Sequence, residues 1–152
     1  MHGFATRMAL TLGALAMGTG ALALDAATRD AAAQDAAELT QPEDWALPEG
    51  DRAALVARGA ELFDDPSIGE SGSACTTCHT DFENYKDTFL QPYPHGVAMG
   101  QNMFGMDEVT AVEMVQLCMV VPMATDPYPW DSDELAALTA YVEDEQERFI
   151  AQ

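Results

Sequence analysis

The chain is short of positive charge. Its 152 residues hold six lysines and arginines against 26 aspartates and glutamates, a formal net charge of −20. Such a chain repels DNA, RNA and anionic lipid, which excludes nucleic-acid binding and electrostatic attachment to membranes. A basic partner surface is what the charge favours, beside plain solubility. No arginine stands between Arg58 and Arg148, and Lys86 is the single base of that stretch. Strand patterning is also missing, as is any internal repeat. Cysteine is scarce and odd in number, three in all, so at least one thiol must be used or hidden.

The apolar share is 48%, which suits one globular domain rather than acidic disorder. The first residues read as an address. "MHGFATR" carries Arg7 and no acid, an apolar run of small residues follows, and Asp25 ends it. That order is a secretory signal peptide, with "ALA" as the cleavage site and "AAA" ending at Ala33 as a second one. The apolar run, about 17 residues, also leaves open an uncleaved anchor. The expected organisation is a signal peptide at 1–23, a flexible Ala/Asp-rich leader at 24–48 and a folded domain at 49–152. Trp45 and Leu47 are expected to touch the domain edge. A bacterial periplasm is the expected compartment, and no membrane insertion of the mature domain is expected.

Three helices are expected. "DRAALVARGAELF" spaces Leu55, Val56, Gly59, Leu62 and Phe63 along one helical face. Gly59 is costly inside a helix, so it predicts a close crossing with another helix. A second helix is expected from Asp107, as N-cap, through "EVTAVEMVQLCMV" to a stop before Pro122. The last is "SDELAALTAYVEDEQERFI", with Asp131 and Glu134 at capping-box spacing and Leu135, Leu138, Val142 and Phe149 as its apolar stripe. Residues 80–105 read as irregular, because Pro92 and Pro94 forbid a helix through "QPYPHG". The fold class is therefore all-α, a single domain of three or more helices with long loops. Loops of that length need something to pack on, and a large buried cofactor would supply it.

"CTTCH", residues 75–79, carries the chemistry. C-x-x-C-H is the attachment pattern of a c-type haem. Cys75 and Cys78 would add to the two vinyl groups, and His79 would reach the iron as proximal ligand. A redox C-x-x-C pair wants a βαβ context, and a zinc site wants a second ligand pair where only Cys118, His2 and His95 remain.

On this motif and the flanking helices, residues 50–150 resemble the cytochrome c family. In that family a helix ending like "GAELF" precedes the motif and packs across the C-terminal helix. The resemblance implies a cytochrome c-like fold, one covalent haem c and electron transfer.

The iron's other side has several candidates: Cys118, Met119, Met123, His95, Met99, Met103 and Met106. Ordinary members of the family take a methionine from the loop before the last helix, where Met123 stands. His95 is expected in solvent, and the methionines of "AMGQNMFGM" on the haem edge. The segment "QLCMVVPMATDPYPWDSDELAALTAYV" resembles a stretch of the sulfur-oxidation cytochromes, the thiosulfate dehydrogenases and the haem subunit of the thiosulfate-oxidising complex. There a cysteine ending the penultimate helix binds iron. The resemblance implies Cys118 as the preferred distal ligand, with Met123 as the alternative. "FLQPYPHGVAMGQ" is similar to that family's loop beneath the haem. Thiosulfate, however, is a dianion that such enzymes hold with arginine or lysine, and Glu113 stands where a cation would serve. The sequence thus favours a periplasmic electron carrier with a basic redox partner, and no catalytic residue is assigned. The alternative is the haem subunit of a thiosulfate-type oxidoreductase. A gas sensor would need an open iron site, which the many sulfur candidates oppose.

Overall fold

The computed structural model describes residues 36–48 and 51–152. The expected signal peptide at 1–23 and the leader up to residue 35 lie outside the described residues. Among the described residues the protein is helical, without strands, and no helix is long and apolar enough to cross a membrane. After a single helical turn at 36–39 come the α-helices α1 (Arg52–Phe63), α2 (Thr76–His79), α3 (Ala111–Val120) and α4 (Asp133–Ile150).

Each long helix starts where a side chain satisfies its first free N–H groups. Asp51 accepts from the N–H groups of Ala53 and Ala54 to start α1. The helix expected from Asp107 begins later, because Thr110 and Glu113 form a reciprocal capping box there. Val109 is held extended by a two-bond bridge to His95, which keeps the preceding residues out of the helix. The cap expected from Asp131 is likewise replaced by Ser132, whose hydroxyl accepts from Leu135 N–H at 3.3 Å. The stretch 80–105 is less irregular than its prolines suggest. It runs through one-turn 3₁₀ helices at Thr80–Phe82 and Asp87–Leu90 and a π-helical turn at Gly100–Phe104.

The core forms where α1 crosses α4. Leu62 and Phe63 pack on Leu135, Ala137, Leu138 and Val142, and α3 adds Val112 and Val115. A second cluster joins Leu117 of α3 to Phe104, Val109 and Leu39.

Leu39 belongs to the segment expected to be a flexible leader, and that expectation is corrected for residues 36–48. Leu39 is 2% exposed. Gln41 N–H donates to Glu113 Oε1 at 2.9 Å, and Trp45 Nε1 donates to the Trp130 carbonyl at 2.6 Å. These residues strap α3 to the loop before α4, so the boundary at residue 49 is no break in packing.

Gly59 sits at the crossing. A Cβ there would collide with the Ala137 carbonyl and lie 2.5 Å from Tyr141 Cβ. In an open helix Gly→Ala would stabilise by about 1 kcal/mol. Here overpacking opposes that gain and costs roughly 1–3 kcal/mol. Gly59→Ala is therefore expected to lower the thermal midpoint, and an unchanged or raised midpoint would show that α1 and α4 do not meet there.

Candidate functional site

One cavity of about 260 Å³ lies between the helices. Phe63 of α1, Leu138 and Val142 of α4, and Met114, Val115, Cys118 and Met119 of α3 form its apolar walls. Cys75, Cys78 and His79 line it from α2 and its cap, and Tyr85, Phe89, Tyr93 and His95 line it from the following segment.

The C-x-x-C-H stretch is one tight turn. Cys78 N–H and His79 N–H both donate to the Cys75 carbonyl, at 3.1 and 3.0 Å. This spacing places both cysteines on one face of the turn. The two threonines between them act as clamps, a role their sequence position did not announce. Thr77 Oγ1 accepts from Ala74 N–H at 3.0 Å, and Thr76 Oγ1 donates to Asp64 at 2.8 Å. Asn84 Nδ2 closes the far side by donating to the Cys78 carbonyl at 2.7 Å.

His79 is oriented by the chain that follows it. Its Nδ1 lies 3.1 Å from the Glu83 carbonyl. A proton on Nδ1 satisfies that carbonyl and leaves Nε2 bare, able to accept a proton or bind a metal. The carbonyl is brought there at a conformational cost. Asp81, Phe82 and Asn84 all adopt left-handed backbone, at φ of 51°, 64° and 63°. Each such residue costs on the order of 1–3 kcal/mol, least for Asp and Asn. Burial lowers the His79 pKa, which favours the neutral ring needed for metal ligation.

The thiols are electrostatically joined. Burial pushes Cys118 up to about 12, with Cys75 and Cys78 adding to the rise. Burial likewise pushes Cys75 up to about 11. Cys118 is half-buried and lines the cavity together with both cysteines of the motif. Met123 lines it too, at 2% exposure, with its side chain folded against Gly69.

The structure thus gathers Cys75, Cys78, His79, Cys118, Met119 and Met123 around one cavity. It corrects two other expectations. His95 is 2% exposed rather than solvated, because its backbone bridges Val109 and its ring stacks on Tyr93. Met99 and Met106 pack on the second cluster and Met103 is half-exposed, so none of the three lines the cavity. Met114 takes that place instead. Its spacing to Cys118 puts both on one face of α3, a signal readable from the helical period.

A ladder of rings was also hidden by the prolines around it. His79 stacks on Tyr85 at 4.4 Å, Tyr85 on Phe89 at 4.1 Å, and Phe89 meets Tyr93 and His95 at 6.3 Å. Among the described residues no three His, Cys, Asp or Glu side chains converge as a closed zinc site requires.

Burial raises the pKa of Tyr85 and Tyr93, and of Tyr128 and Tyr141 to a lesser degree. An unfolded phenol ionises near pH 10. The folded phenols stay protonated above that, so their stabilisation is complete below about pH 10 and is lost as pH rises further. Phenolate absorbance is expected to lag behind that of free tyrosine and to rise together with loss of helical circular dichroism. Ionisation of all four phenols near pH 10 with helices intact would contradict the packing described.

Compared with protein-family models, curated proteins and solved structures, the chain matches none.

Proposed function

We propose that the protein is a periplasmic c-type cytochrome with a cytochrome c-like fold, carrying single electrons on one covalently attached haem. The observation that carries this reading is that all three residues of the C-x-x-C-H motif line one apolar cavity, with His79 Nδ1 already committed to the Glu83 carbonyl. The apolar walls and converging sulfur side chains suit a flat, largely apolar ring that carries a metal. The haem, once bound, supplies a one-electron ferric–ferrous couple.

The residues would act as follows. Cys75 and Cys78 would hold the haem through thioethers, each by addition of S–H across a vinyl double bond, sulfur to one carbon and hydrogen to the other, with no oxidant needed. His79 would hold the iron through Nε2, with the Glu83 carbonyl fixing its tautomer. Cys118 is the preferred distal ligand and Met123 the alternative. Met123 packs against Gly69 and lines the same cavity, so its thioether is at hand if Cys118 does not ligate. Thiolate ligation would stabilise the ferric state and lower the reduction potential relative to methionine.

A second reading rests on the same Cys118, which the sulfur-oxidation cytochromes match. In it the protein is the haem subunit of a thiosulfate-type oxidoreductase. Among the described residues Lys86 is the only lysine or arginine lining the cavity, so a partner subunit would have to complete a site for a dianion.

Optical spectra of the holoprotein separate these roles. Cys75→Ser with Cys78→Ser is expected to abolish covalent haem and the cooperative unfolding transition, and a stable haem-free double variant would contradict the role of the cofactor in folding. Cys118→Ser is expected to change the ferric spectrum and raise the potential. An unchanged spectrum that shows the methionine–iron band would assign the site to Met123 instead.

The redox partner is proposed to be basic. Arg52, Arg58 and Arg148 are each already paired with carboxylates, which leaves the acidic surface dominant. The bimolecular electron-transfer rate with a basic acceptor is expected to fall steeply as salt is added. A flat salt dependence would contradict electrostatic docking.

A further inference from the structure

Among the described residues one buried side-chain polar atom has no hydrogen-bond partner, and it is His95 Nδ1. The residue is 2% exposed and lines the cavity. Its backbone is fixed by both bonds of the bridge to Val109, at 3.1 and 3.0 Å. Its ring stacks on Tyr93 at 4.4 Å. Only ring rotation is left to bring the nitrogen to a partner. A buried donor or acceptor in a native fold is expected to be satisfied, so this one calls for a ligand.

Position narrows the ligand. The ladder of rings puts Tyr85 and Phe89 between His79 and His95. His95 is thus the ring of that ladder farthest along the chain from His79. On the proposed haem the two thioethers stand on neighbouring pyrroles, and the two propionates stand on the other two. A ring anchored through Cys75 and Cys78 directs its carboxylates away from them.

We propose that His95 Nδ1 donates a hydrogen bond to a haem propionate. This inference rests on the haem reading above. Burial lowers the His95 pKa, opposed by the nearby carbonyls of Pro92 and Gln91 and by Glu108. A propionate at Nδ1 would hold a proton on that nitrogen. His95 is thus a positioning residue, burying the charged edge of the cofactor in a protein otherwise hostile to anions.

Resonance Raman spectroscopy of the ferrous holoprotein is the test. The propionate bending band is expected to shift in His95→Leu and to return towards the wild-type position in His95→Gln, with spin and coordination marker bands unchanged in both. A band that does not move in His95→Leu would overturn the proposal. So would loss of the six-coordinate low-spin state, which would make His95 an iron ligand. Should His95→Leu fail to accumulate, the solid-state distance between ¹⁵N-labelled His95 Nδ1 and a ¹³C-labelled haem propionate carboxyl in the unaltered holoprotein decides: hydrogen-bond proximity supports the proposal, and no dipolar contact, with Nδ1 turned instead to the Pro92 or Gln91 carbonyl, refutes it. A holoprotein preparation without any haem spectrum would instead refute the haem reading itself.

Discussion

The contact between Gly59 and the Ala137 carbonyl sets the geometry on which the rest of the protein depends. Only a residue without Cβ lets α1 lie this close to α4. That closeness seats Phe63 among Leu138 and Val142, and the same three side chains become the wall of the cavity. The chain leaves α1 at Phe63 and must return within a short loop. Asp64, the cap of α1, holds Thr76 and so fixes where the motif turn begins. Helix packing and the placement of Cys75, Cys78 and His79 are thus one constraint.

A second feature explains the shape of the cavity. The fold accepts left-handed backbone at three residues close after His79 and thereby places the Glu83 carbonyl on its ring. Strain is retained where it orients a group, and here the group is a histidine whose free nitrogen serves the cavity. The chain then crosses beneath the cavity as a succession of stacked rings. Those rings line the cavity with apolar surface, and among the described residues the one unsatisfied buried side-chain polar atom is His95 Nδ1. A polar defect of this kind suits a cofactor with an apolar body and a charged edge.

The sequence made the helical skeleton legible because amphipathic periods in "DRAALVARGAELF" and "ELAALTAYV" depend on local spacing alone. The cap residues were harder. Thr110 and Ser132 outcompete Asp107 and Asp131 through backbone geometry that composition does not encode. The motif was legible as a pattern because two thiols and a histidine at fixed spacing are a local signal, and the fold brings all three to one cavity. The burial of His95 was not, since it depends on a bridge to Val109 across a loop read as irregular. Tyr85, Phe89 and Tyr93 were passed over for the same reason, although their spacing of four is regular. Within residues 36–48 the edge contact of Trp45 was legible, whereas Leu39 was not, because it is an isolated anchor in an Ala- and Asp-rich context.

The account's central claim is covalent attachment at the motif, and peptide mass spectrometry tests it most directly. The protein, produced in a host able to mature c-type cytochromes, is denatured, extracted with acid acetone and digested. The account predicts that the peptide holding Cys75 and Cys78 carries the added mass of one haem and keeps its haem absorbance. The same peptide recovered with two free thiols or with a disulfide, and with no haem mass, would contradict the claim.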